Sequence, residues 1–112
     1  MDDMERLLAI LQGNQDKNFI QRILKPDLYP LLDEWNGPGT FGSHLMSSAE
    51  VNGKNIAYPN IVQHPGEWNL KMFDPKGTEA IDYALKNNEY LQFNTPEEAL
   101  WFGKNYKKLW GQ

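Results

Sequence analysis

Apolar positions along this chain recur at two periods, and the switches between them mark the elements. Met4, Leu7, Leu8 and Leu11 fall at helical spacing, and Gly13-Asn14 follows as a stop, so a helix is predicted over residues 3–12. Phe19, Ile20, Ile23 and Leu24 repeat that spacing. Asp16 precedes them as a candidate N-cap, and Pro26 ends them by pushing its predecessor out of helical geometry. Tyr29 to Trp35 reads as extended, leading into the turn Asn36-Gly37-Pro38-Gly39. His44 to Val51 reads as a strand. Asn52-Gly53 then predicts a tight hairpin, because both residues tolerate the positive φ of a type I′ turn. Lys54 to Val62 is the expected return strand. Pro59 within it has no N–H for a ladder and requires an edge or a bulge there.

The C-terminal half carries an internal repeat. Leu70-Lys71-Met72-Phe73-Asp74-Pro75 runs into Glu79-Ala80-Ile81-Asp82-Tyr83-Ala84. Tyr90-Leu91-Gln92-Phe93-Asn94-Thr95-Pro96 runs into Glu98-Ala99-Leu100-Trp101-Phe102-Gly103. Each is a short strand, a turn with proline, and an amphipathic helix. Asp74-Pro75 reads as an N-cap and first helical residue, and Asn87-Asn88 as the stop. Thr95-Pro96-Glu97-Glu98 reads as a capping box. The last helix is expected to set Ala99, Phe102, Gly103, Tyr106, Leu109 and Trp110 on one face. If the repeat is structural, Ala80 and Ala99, and Tyr83 and Phe102, occupy equivalent buried positions.

The pattern predicts an α+β fold: a small, mainly antiparallel sheet with helices packed on one face and two strand-turn-helix repeats in the C-terminal half. Residues 15–112 are expected to form a single domain. Residues 1–14 are expected to form an N-terminal helical arm, since a helix that short is marginal in water and must dock on something. Leu7, Leu8 and Leu11 are its candidate partner-binding residues, with a second copy of the chain as one candidate partner.

Composition narrows the classes. At 112 residues, with 40% hydrophobic content, four Trp, five Tyr and five Phe, the chain can bury one real core. A net charge of -4 gives no general pull toward nucleic acid or an anionic membrane. The absence of cysteine excludes disulfides, thiolate catalysis and Cys-based zinc sites. The apolar run Leu7 to Leu11 is far below the roughly 20 residues of a membrane span. The acidic start, Asp2-Asp3-Met4-Glu5, is unlike a secretory signal.

Candidate chemistry is sparse. His44 and His64 are the two histidines. Ser43 and Ser47 both face away from His44 if the segment is a strand, so a Ser-His pair is awkward there. Glu50 shares a face with His44 but lies about 20 Å along the strand, too far for a common metal site. Gly37-Pro38-Gly39 lacks the strand-to-helix context and the lysine of a phosphate loop. His64-Pro65-Gly66 reads as a turn. No cofactor or metal is implied. Trp101, Lys104, Lys107 and Lys108 place aromatics beside lysines, a combination that can bind single-stranded nucleic acid. The acidic balance weighs against that use, and so does the preference of Lys for helix C-termini. Trp35 and Trp68 sit beside turn-rich segments, where an indole makes a good protein-binding anchor.

Several blocks taken together resemble a module of virion proteins of tailed bacteriophages, found alone or inside very large polyproteins. They are Asn18 to Leu24 before Pro26, Ser43-His44-Leu45-Met46 with Ala49-Glu50, and Tyr58-Pro59-Asn60-Ile61-Val62. Asn88 to Phe93, and Glu97 to Phe102 with Asn105-Tyr106-Lys107, complete the set. The resemblance implies a setting, the phage virion or the host cytoplasm of an infected cell, and no activity. The expected function is therefore a noncatalytic, phage-derived protein–protein interaction domain, virion-associated or host-directed. The alternatives are a small hydrolase centred on His44 and a nucleic-acid-associated protein using the C-terminal Lys/Trp helix.

Overall fold

Local sequence signals set most element boundaries in the computed structural model, which describes residues 2–29 and 45–110. Helix α1 (Asp3–Gln12) starts where Asp2 accepts the Glu5 N–H at 2.8 Å. Helix α2 (Asn18–Leu24) ends before Pro26, which opens a short 3-10 turn through Leu28. Strands β1 (Met46–Val51) and β2 (Lys54–Pro59) form the expected hairpin. Asn52 and Gly53 at its tip have φ of 53° and 79°, as a type I′ turn requires.

The return strand is shorter than its apolar pattern. It breaks at Asn60, and β3 (Ile61–Gln63) leaves for a second sheet with β4 (Leu70–Met72). Asn60 is fully buried and joins the two sheets. Its N–H donates to the Leu45 carbonyl at 2.7 Å, and its own carbonyl accepts the Phe73 N–H at 2.8 Å. Helix α3 (Glu79–Asn87), β5 (Leu91–Phe93) and helix α4 (Pro96–Asn105) follow, and the chain then tightens into a 3-10 turn over Tyr106–Trp110.

The larger sheet has the order β1-β2-β5 and is antiparallel throughout; the smaller pairs β3 with β4. The α+β class and the antiparallel sheet are as the pattern predicts. Pro59 is tolerated in the central strand because β5 pairs only with residues 55–57 and stops short of it.

Side chains alternate along β2 and build two cores. Ala57 and Leu91 meet Leu7, Leu11, Phe19, Ile20, Ile23, Phe102 and Tyr106. Ile56 and Tyr58 meet Ala80 and Ala84. Helices α1, α2 and α4 therefore cover one face of the larger sheet, and α3 covers the other. The repeat helices do not share a side.

The N-terminal helix is not laid out as an arm. Leu7 and Leu11 are 0% exposed and belong to the main core, while Leu8 is half-buried. The segment after Gly13 returns α1 onto the domain. The Asn14 side chain donates to the Ile10 carbonyl at 2.7 Å, and the Gln21 side chain to the Gln15 carbonyl at 2.7 Å. A short apolar stripe that is marginal alone is stabilised by packing on its own chain.

Candidate functional site

Asp16 does not cap α2. Its carboxylate sits 3.4 Å from the Lys17 ammonium, and the cap comes from a residue far along the chain. Asn88 takes the left-handed conformation that stops α3, with φ of 57°. The chain thereby swings Glu89 against the start of α2. Its two carboxylate oxygens accept the N–H of Asn18 at 2.9 Å and of Phe19 at 3.1 Å. These are helix-start donors that no local side chain satisfies.

A buried polar network continues from there. Arg22, almost fully enclosed, donates from Nε to the Asn18 side chain at 2.9 Å and from its terminal nitrogen to the Ile61 carbonyl at 2.7 Å. The Asn18 amide donates to the Gln63 side chain at 2.8 Å, and the Gln63 amide to the Trp68 carbonyl at 2.8 Å. The Tyr83 hydroxyl reaches the Gln63 carbonyl at 3.3 Å. Burial lowers the Arg22 pKa to about 10, although Glu89 pulls it up. Burial also raises the Glu89 carboxyl, against the two backbone N–H bonds and the charges of Arg22 and Lys17.

Outside this network lies a groove of about 620 Å³. Its aromatic wall is Tyr29, His64, Trp68 and Tyr83. Trp68 is 61% exposed and stacks on Tyr29 with ring centroids 6.4 Å apart. His64 packs its ring edge-on to Tyr83 at 4.9 Å and to Phe73 at 6.1 Å. Its Nε2 is buried without a hydrogen-bond partner among the described residues. Asp16, Glu67 and Glu89 also line the groove, and no Lys or Arg does among the described residues.

Among the described residues that line the groove there is no Ser, Thr or Lys to act as a nucleophile. His64 packs on the rings of Phe73 and Tyr83, and its Nε2 has no hydrogen-bond partner among the described residues to orient it as a general base. Both oxygens of Glu89 are engaged by backbone. Among the described residues, no three His, Asp or Glu side chains gather as a metal-ligand set.

The residues singled out from sequence fall in different places. Leu7 and Leu11 have no exposed surface to offer a partner, which corrects the expectation of an arm. Trp68 is exposed on the groove. Trp35 and His44 lie outside the described residues. The C-terminal Lys/Trp set does not form an open stacking platform. The Arg6 guanidinium covers the half-buried Trp101 ring at 4.0 Å from its centroid, and Lys108 is held by Asp3 at 3.1 Å. Lys107 lies over Tyr106 at 5.9 Å, while Lys104 is exposed. No helix among the described residues is long and apolar enough to cross a membrane.

Sequence reasoning missed Tyr29, His64, Tyr83 and Glu89 as one cluster. Glu89 follows a helix stop and reads as a solvated loop residue, and nothing local signals that it caps a helix some 70 residues earlier. No protein-family model, curated protein or solved structure matches the chain.

Proposed function

We propose that this chain is a noncatalytic interaction domain that binds a segment of another protein in the groove between Tyr29, Trp68 and Tyr83. The observation that carries this reading is the division of labour at the groove. The polar groups of Asn18, Gln63 and Glu89 on its inner side are engaged in structural hydrogen bonds, while a large indole stands exposed at its rim. Exposed Trp is a poor use of apolar area in a lone domain and a good anchor in an interface. The sequence resemblance supports a setting in which the partner is a phage virion component or a host protein.

Photo-crosslinking tests the reading. A benzophenone side chain installed in place of Trp68 should yield a discrete crosslinked protein from particles or infected cells. The same group in place of Leu100, exposed elsewhere on α4, should not. Equal crosslinking from both positions, or none from position 68, overturns the proposal.

A further inference from the structure

The charges around the groove are unevenly spent. Asp16 has the Lys17 ammonium at 3.4 Å. Glu89 is capped by two N–H groups and has Arg22 nearby. Glu67 is exposed, next to Trp68 in the chain, and makes no ion pair among the described residues. It lines the same cavity as Tyr83 and Trp68. One ring face of Trp68 is used by Tyr29, and most of the rest of the indole is open.

From this we infer that the groove recognises an arginine side chain of the partner segment, its guanidinium laid on Trp68 and its charge directed to Glu67. The inference rests on the groove being a protein-binding site. Guanidinium is the cation best matched to such a wall. It is planar and weakly hydrated, so it stacks on an indole while still donating in-plane hydrogen bonds to a carboxylate. A lysine ammonium is a hydrated point charge and gains less from the ring. An acidic segment meets the uncompensated Glu67 carboxylate, and no Lys or Arg stands among the described lining residues to pair it.

The test is an amide-resonance titration of the full chain with short capped Gly/Ser peptides carrying two arginines, two glutamates or neither. The arginine peptide should give saturable shifts at residues 63–68 and at the Trp68 indole N–H. The glutamate peptide should bind at least about 10-fold more weakly, as expected when a cation–π contact and a charge pair are both lost. Trp68→Ala should weaken the arginine peptide about 2- to 30-fold. Glu67→Gln should weaken it less and remove most of its salt dependence. Both positions are exposed, so both variants are expected to fold, and their dispersed spectra verify it. If all three peptides shift the same resonances equally, arginine recognition is overturned and the groove stands as a protein-binding site. If the arginine peptide shifts other surfaces or none, the inference is overturned, and the crosslinking at position 68 decides the groove separately.

Discussion

The two C-terminal units share a sequence pattern and use it differently. In the second, Ala99, Phe102 and Tyr106 all turn inward, and Phe102 is 0% exposed. In the first, the buried stripe is Ala80 and Ala84, and Tyr83, the counterpart of Phe102, stays half-buried at the edge. The Tyr83 hydroxyl contributes to this, although Tyr106 in the second unit is a phenol that is buried. A phenyl ring has nothing to satisfy and goes to the centre. A phenol needs a partner for its hydroxyl, and Tyr83 finds the Gln63 carbonyl at 3.3 Å. With small alanines on its inner face, α3 lies close on Ile56 and Tyr58. Tyr83 is then left to pack against His64 and Phe73 and to wall the groove. The strands diverge as well. β4 belongs to the small sheet and β5 to the large one. One copy of the pattern builds scaffold, and the other walls the groove.

The sharpest way to break this comparison is to strip the cover from the second unit. Leu7 and Leu11 pack in the same core as Phe102. Replacing both with Ala should cost about 4–10 kcal/mol, two buried leucines at about 2–5 each, enough to unfold a domain of ordinary stability. A cooperative thermal transition like the parent's in the double variant would show that α1 is dispensable and that the second unit needs no cover.

Next in size is the pair of aromatic truncations. Phe102→Ala should cost about 3–5 kcal/mol in a urea titration. Tyr83→Ala should cost roughly 1–2 kcal/mol, because less apolar area and one hydrogen bond are lost at the edge. Equal losses would mean that the two units carry equal weight in the core.

Much of this was legible in the sequence, and the reasons are local. The Asn52-Gly53 turn, the Thr95-Pro96 start of α4 and the Asn88 stop of α3 each depend on a few adjacent residues. The Thr95 hydroxyl does accept the Glu98 N–H, at 3.1 Å. Asp74-Pro75 misled for a related reason. Asp74 accepts the Lys76 N–H at 2.9 Å, so it closes a turn and leaves the helix to start at Glu79. The same short side chain serves either role, and the Gly77 that follows favours the turn. The sheet switch at Asn60, the assignment of α3 and α4 to opposite faces, and the capping of α2 by Glu89 rest on partners distant in sequence. No periodicity encodes them. The groove was invisible for the same reason: its wall is assembled from the start of α2, Tyr29 after the 3-10 turn that follows it, the β3–β4 loop, and α3 with its exit.

The smallest effects sharpen the comparison at the exits of the two units. Glu89 follows α3 and Lys108 follows α4, and each reaches back to an N-terminal helix. Lys108 pairs with Asp3 in the open, so Lys108→Gln should cost about 0–1 kcal/mol, and less in high salt. Glu89 acts in a buried setting, and its signature is pH. Burial raises its carboxyl above the ordinary 4.5, so the folded chain holds that proton more tightly than the unfolded chain. Stability from this linkage is fully present below 4.5 and is lost as pH rises through the folded value. Glu89→Gln has no proton to lose. It also leaves an amide facing backbone N–H groups, a penalty that does not vary with pH. Urea titrations of both proteins from about pH 4 to about pH 8 should therefore show the stability difference, parent minus variant, falling as pH climbs through the window above 4.5, then levelling. A difference that rises with pH would mean that the two N–H bonds and Arg22 outweigh burial. The Glu89 carboxylate would then be a net stabilising charge in the fold.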